Sequence, residues 1–154
     1  MLVLALDSSA TASVALARID SDAPGASAEI LASYESEDTR SHAEVMAPYT
    51  AQVLADTGLD GAAVDAVLTD TGPGPFTGLR AGIMTARTLG FAWNKPVYGL
   101  MSLTAIIERA FADGAFRDSR TAANSGMNRA AVETLVASDA RRREIYCALF
   151  AVTE

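Results

Sequence analysis

Three short segments of this chain carry residue types that could do chemistry. The first is Asp7 with Ser8, Ser9 and Thr11, where the apolar run Leu2–Leu6 gives way to a polar turn. A carboxylate at the end of a strand, beside hydroxyls and turn amides, can orient hydrated magnesium and meet a phosphate. The same aspartate can instead simply organise the turn by accepting local amides, and so short a string favours that second reading. The next segment is GPGPFTGLRAG, Gly72–Gly82. A glycine-rich loop feeding a helix start aims backbone amides at an anion, and Arg80 would add charge there. Pro73 and Pro75 remove two of those donors, however, and the loop has neither a dinucleotide-binding glycine spacing nor the lysine of a P-loop. The third is Arg141-Arg142-Arg143, which could hold phosphates or carboxylates or could be a solvated hairpin tip.

Two single residues narrow the chemistry further. His42 is the one histidine, and four residues on, where a helical two-imidazole site needs its second ligand, stands Met46. A thioether is a poor substitute for zinc or iron, so neither a metal centre nor a cofactor is expected. A serine–histidine–acid arrangement cannot be argued around it either. Cys147 is the single cysteine, which excludes an intramolecular disulfide framework; its place in the alternating stretch Tyr146–Phe150 reads as a small buried hydrophobe.

These residues need elements to position them. Leu2–Leu6 and Ser13–Ala17 read as a hairpin, and after the turn signal Asp20–Gly25, Glu29–Tyr34 reads as a third antiparallel strand. Three strands before any helix argue against a strand-then-helix dinucleotide fold. Ser41 and Glu44 have capping-box spacing, and the helix they open should reach Thr57 with Val45, Met46, Tyr49, Val53 and Leu54 on its apolar side. Pro48 lies inside it and removes one backbone donor. The pattern then predicts a strand over Val64–Leu68, a helix over Thr77–Trp93, a strand over Val97–Gly99 and a helix over Ser102–Phe111. Ser119–Asn128 reads as loop, and strands over Val132–Ala137 and Ile145–Ala151 are joined by Ser138–Arg143.

Within the second helix Gly78, Gly82, Ala86 and Gly90 recur every four residues and draw a stripe almost free of side chains. Each interior glycine costs about 1 kcal/mol relative to alanine, so something should pack closely there. The chain's own first helix or its sheet could fill that place; with Leu79, Ile83, Phe91 and Trp93 beside it, the stripe is instead expected to receive, at least in part, another protein, and a bulky residue at Gly82 to block association while leaving the fold intact.

At 154 residues, half of them hydrophobic, the chain can build one respectable core but is short for an enzyme with separate lid and body. The net charge of −7 comes from residues 1–100, with 5 basic and 12 acidic side chains, against 7 of each afterwards. A protein that grips nucleic acid with its whole surface is therefore not expected. The apolar stretches MLVLAL and ASVALA are too short for a signal peptide or a membrane span, so no membrane is expected and the cytoplasm is the default compartment.

Taken together, four segments resemble the TsaB (YeaZ) family. They are LALDSSATASVAL at 4–16, RSHAEVMAP at 40–48, GPGPFTGLRAGIMTARTLGFAWNKPVYGLMSL at 72–103 and SDARRREIYCALF at 138–150. The most specific is the GPG-FTGLR string. The resemblance implies an α/β fold of the actin-like ATPase (ribonuclease H-like) type, with an initial three-stranded antiparallel meander followed by alternating helices and strands. Residues 1–100 would form its amino-terminal domain and 101–154 the start of a second, truncated lobe.

It further implies a non-catalytic scaffold in the making of threonylcarbamoyladenosine on tRNA. Such a scaffold pairs through its first two helices with a TsaD-like catalytic subunit that modifies adenosine 37 of tRNAs reading codons that begin with adenine. A TsaE-like ATPase joins the assembly, a homodimer forms when the scaffold is alone, and tRNA is met weakly or indirectly through the complex. On this reading Asp7, Ser8 and Ser9 are a vestigial nucleotide site. The interface is His42, Met46 and Tyr49 with Gly78, Leu79, Gly82, Ile83, Ala86 and Gly90, and the anion contacts are Arg80, Arg141, Arg142 and Arg143. The alternative is an ATP-dependent kinase or hydrolase of the same superfamily that uses Asp7 and magnesium.

Overall fold

Alternating apolar residues build the first three strands, β1 (Leu2–Asp7), β2 (Ser13–Ile19) and β3 (Ala28–Glu35), into an antiparallel meander. The structure is a computed structural model that describes residues 1–20, 27–37, 42–114, 132–141 and 144–152. After the meander come α1 (His42–Thr57), β4 (Ala66–Asp70), α2 (Phe76–Trp93), β5 (Val97–Leu100), α3 (Ser102–Ala112), β6 (Val132–Arg141) and β7 (Glu144–Val152). Two compact units result, Met1–Leu100 and Met101–Glu154.

In the first unit the sheet order is β3-β2-β1-β4-β5, with β4 and β5 parallel to β1. The register places Leu4 beside both Leu16 and Val67, and Leu6 beside Val14. These side chains share one face of the pleat, and they form a single buried cluster with Met46 and Val53 of α1 and Ala86 of α2. Both helices therefore cover the same face of the sheet, α1 over β2 and β3, α2 over β1, β4 and β5.

The boundaries differ from the sequence pattern where backbone pairing decides them. β4 starts at Ala66 because the parallel ladder with β1 starts there; Asp65 is instead tied to Leu2 by its amide (2.8 Å) and by a carboxylate that accepts the Leu2 amide (2.7 Å). Val64, expected in the strand, is still fully buried. α2 begins one residue early, at Phe76, and ends where Asn94 takes the left-handed conformation (φ 54°), letting the Lys95 amide reach the Gly90 carbonyl at 2.8 Å.

In the second unit β6 and β7 run further than expected. Ser138 and Asp139 pair with Tyr146 and Ile145, and Arg141 pairs with Glu144, so most of the expected loop satisfies its amides inside the ladder. One face of this hairpin, through Val136, Ala148 and Phe150, packs on Leu103 and Ile107 of α3. Cys147 alternates onto the opposite face with Leu135, Ile145 and Leu149 and is exposed, which corrects the expectation of a buried thiol. The expected cap Ser41, the expected loop 119–128 and the pair Arg142–Arg143 lie outside the described residues. Among the described residues no helix is long and apolar enough to cross a membrane.

Leu4 is fully buried at the centre of the first unit. Leu4→Ala is expected to destabilise that unit by about 2–5 kcal/mol, read as a lower urea midpoint at unchanged slope.

Candidate functional site

β1 ends in a turn whose four polar residues, Asp7, Ser8, Ser9 and Thr11, do not converge on one point. Asp7 Oδ1 accepts the Ser9 amide at 2.7 Å and the Ser9 hydroxyl at 2.8 Å, an arrangement that organises the turn. Thr11 donates to Glu35 across the meander at 2.9 Å. Ser8 points inward and is 1% exposed. Its hydroxyl donates to the Gly78 carbonyl at 2.8 Å and accepts the Gly82 amide at 3.2 Å, so it is seated on the backbone of α2.

The glycine-rich loop closes over the same turn. Gly72 has φ +100°, which disfavours any side chain, and its amide reaches the buried carboxylate of Asp70 at 3.0 Å. A Cβ on Gly74 would stand 2.8 Å from both the Cα and the carbonyl oxygen of Ser9. The groups that would have to meet a phosphate, the Ser8 and Ser9 hydroxyls and the Ser9 amide, are thus engaged within the chain, with Gly74 against them. The residues at this turn do not fit a nucleotide phosphate in this arrangement. Arg80 is exposed, its guanidinium 5.0 Å from the centre of the Phe76 ring.

The small-residue stripe of α2 is also filled from inside, which corrects its expected role as a partner surface. Gly78, Gly82, Ala86 and Gly90 are all buried. A Cβ on Gly82 would overlap the Ser8 hydroxyl and stand 3.4 Å from Met46 Cε, and one on Gly90 would overlap Val97 and stand 3.0 Å from the Lys95 carbonyl. Met46 is fully buried, Tyr49 stacks on Tyr34 with centroids 5.7 Å apart, and Leu79 packs on Gly72. Ile83 is half-buried, and the side chain of His42 lies outside the description. The stripe is a packing device that brings α2 down onto β1 and α1. A bulky residue at Gly82 would therefore disrupt this packing itself.

What the two helices present outward is different. α2 exposes Phe76 (73%), Met84 (55%) and Phe91 (90%), interleaved with Arg80 and Arg87. Along α1 a second stripe of small residues, Ala43, Ala47, Ala51 and Ala55, also recurs every four residues, and all four are exposed, flanked by Glu44, Gln52 and Asp56. Large apolar side chains and arginines thus lie on one helix, and a flat, acidic-edged ridge on its neighbour. Burying Phe76, Met84 and Phe91 against a partner is worth about 1.5–3 kcal/mol each. The α1 ridge was legible in the sequence by its period of four, but alanine is also the default helix former, so the pattern carried no distinct signal.

Comparison with known proteins follows the same lines. A family model described as TsaD, tRNA N6-adenosine threonylcarbamoyltransferase, matches residues 29–153. The solved structure of YeaZ from Pseudomonas aeruginosa superposes with a TM-score of 0.69 at 29% identity, covering 99% of this chain and 61% of that one. The chain belongs to the TsaD family, in its TsaB (YeaZ) branch. The TsaB protein of Haemophilus influenzae, called a tRNA threonylcarbamoyladenosine biosynthesis protein, is 39% identical over 72 residues, 47% of this chain and 30% of its own length. An uncharacterized protein of Mycobacterium tuberculosis is 42% identical over 113 residues, 73% of this chain and 44% of its own. The chain thus spans less than half the length of these curated relatives. The α/β architecture, a meander followed by alternating helices and strands, is that of the TsaB branch.

At the margin of the outward face the Tyr34 hydroxyl and the Gln52 amide both donate to Asp56. Tyr34 foremost, then Gln52, holds the Asp56 carboxyl below its ordinary value of 3.8, while Asp56 raises the Tyr34 phenol. The stabilisation from a depressed carboxylate is full above the unfolded value and is lost as pH falls through the folded one. Thermal melts from about pH 6 to about pH 2 should therefore show wild type exceeding Asp56→Asn by a margin that holds down to the ordinary carboxylate range and disappears below it.

Proposed function

We propose that this chain is a non-catalytic docking subunit. Through the outward faces of α1 and α2 it binds a TsaD-like threonylcarbamoyltransferase and supports threonylcarbamoyl transfer to adenosine 37 of tRNAs reading codons that begin with adenine. The observation that carries this reading is the pair of neighbouring helices, one exposing Phe76, Met84 and Phe91, the other an alanine ridge. Membership of the TsaB branch supports the choice of partner. A TsaE-like ATPase joins the pair, and tRNA is met through the assembly, since a chain of net charge −7 is a poor polyanion binder by itself. No cofactor is assigned, and the compartment is the cytoplasm.

In the absence of that partner a second copy occupies the same face. Arg80 and Arg87 then lie opposite the Glu44 and Asp56 edge of the other copy, and the phenylalanines lie over its alanines. Residues 101–154 we read as belonging to a second actin-like lobe.

Phe91→Asp on α2 and Ala51→Arg on α1 test this reading, because both positions are exposed and neither change should lower the melting temperature appreciably. Each is expected to weaken capture of a co-expressed TsaD-like subunit, and self-association in sedimentation, by about tenfold or more. Reconstituted threonylcarbamoyladenosine formation should fall in parallel. Wild-type capture by both variants would remove the face from consideration.

A further inference from the structure

A hydroxyl has one proton to donate and lone pairs to accept, and Ser8 uses both on a single turn of α2. It donates to the carbonyl of Gly78 and accepts from the amide of Gly82, the two groups that an α-helix joins to each other at the i to i−4 spacing. Sliding α2 along its axis by one residue, about 1.5 Å, or turning it about that axis would break both contacts together. The absence of a side chain at Gly82 is what admits the hydroxyl, and Met46 of α1 closes on the same point. Strand β1 and both helices are therefore indexed to one another at one place.

Losing the hydroxyl does not orphan the helix. Gly82 and Gly78 can still bond each other, so the backbone stays satisfied while the reference to β1 disappears. We propose that Ser8 is a positioning residue for the docking face: it fixes how the amino-terminal turns of α2 are seated, and hence where Phe76 and Arg80, in the turns beside it, meet the partner, while the far end is held at Gly90 against Val97. This rests on the outward faces of α1 and α2 being the partner surface.

The test compares Ser8→Ala, Ser8→Cys and the double variant Ser8→Ala/Gly82→Ala, each co-expressed with the TsaD-like subunit. Ser8→Ala should weaken capture by about tenfold. Its effect should be coupled to that of Phe76→Ala and additive with that of Phe91→Ala, which lies some four turns further along the helix. Ser8→Cys keeps a hydrogen-bonding group at the same place, larger and with weaker bonds, and should lose less affinity than Ser8→Ala; it carries the test if Ser8→Ala does not fold. In the double variant the new methyl enters the space left by the hydroxyl, 3.3 Å from the Cβ of residue 8 and 3.4 Å from Met46 Cε, so thermal stability should recover in part, through helix propensity, and affinity should not. Recovery of affinity together with stability would mean that Ser8 acts by packing alone, and wild-type affinity in Ser8→Cys or Ser8→Ala, with Phe91→Asp still defective, would likewise overturn the assignment while leaving the docking face standing. Insensitivity of capture to Phe91→Asp as well would overturn both.

Discussion

The close approach of β1 to the backbone of α2 is the constraint on which the rest of the first unit depends. Helices normally meet a sheet through layers of side chains; here the Ser8 hydroxyl touches helix backbone directly, at a point where Gly78 and Gly82 contribute no side chain. Each glycine forfeits about 1 kcal/mol of helix propensity, and the contact offsets that loss with hydrogen bonds made in a fully buried place and with tight packing around Met46. At the other end of the same stripe Gly90 admits Val97, so β5 is brought in by the same device. A helix seated so low has little freedom to roll, and its outward face is correspondingly well defined.

The same contact explains why the polar turn after β1 is unsuited to the phosphate chemistry its composition suggests. Asp7 turns back on Ser9, Ser8 is committed to α2, and Gly74 rests against the Ser9 backbone. The Ser8 and Ser9 hydroxyls and the Ser9 amide each have a partner in the chain, and freeing them would mean separating the loop from the turn. Pro73 and Pro75 narrow the possibilities further, because a loop with two fewer amides has fewer ways to satisfy a charged ligand. Glycines that in another context would make room for a phosphate here make room for the protein's own backbone.

Much of this architecture was legible in the sequence, for reasons that differ by element. The meander followed from alternation and turn residues, and α1 and α2 from their periods and from the capping-box spacing that opens α1. The glycine stripe was legible as a demand for close approach, but not for its occupant, because the pattern reports only that a side chain would not fit. The occupant, Ser8, is 70 residues away from Gly78, and no local rule links them. Cys147 was misplaced for a similar reason: alternation in β7 separates two faces, but only the packing of α3 on Val136, Ala148 and Phe150 decides which is covered. The alanine ridge of α1 shares its period with the glycine stripe, yet it lies outward because Met46, Thr50 and Val53 occupy the inward side.

The distribution of charge on the outward face bears on what can dock there. Arg80 and Arg87 lie on α2 while Glu44 and Asp56 lie on α1, so the face carries both signs in separate rows, although the chain as a whole is acidic. A partner of one sign would be attracted by one row and repelled by the other. On the proposed reading, a partner with the same two helices, related by a two-fold axis, would set each row against its opposite. Shape and charge are thus both compatible with the proposed kind of partner, a surface built on this same fold. On the proposed reading, the relative affinity of a second copy and of a related subunit turns on how well each accommodates the phenylalanines, since apolar area, not exposed ion pairs, would supply most of the binding energy.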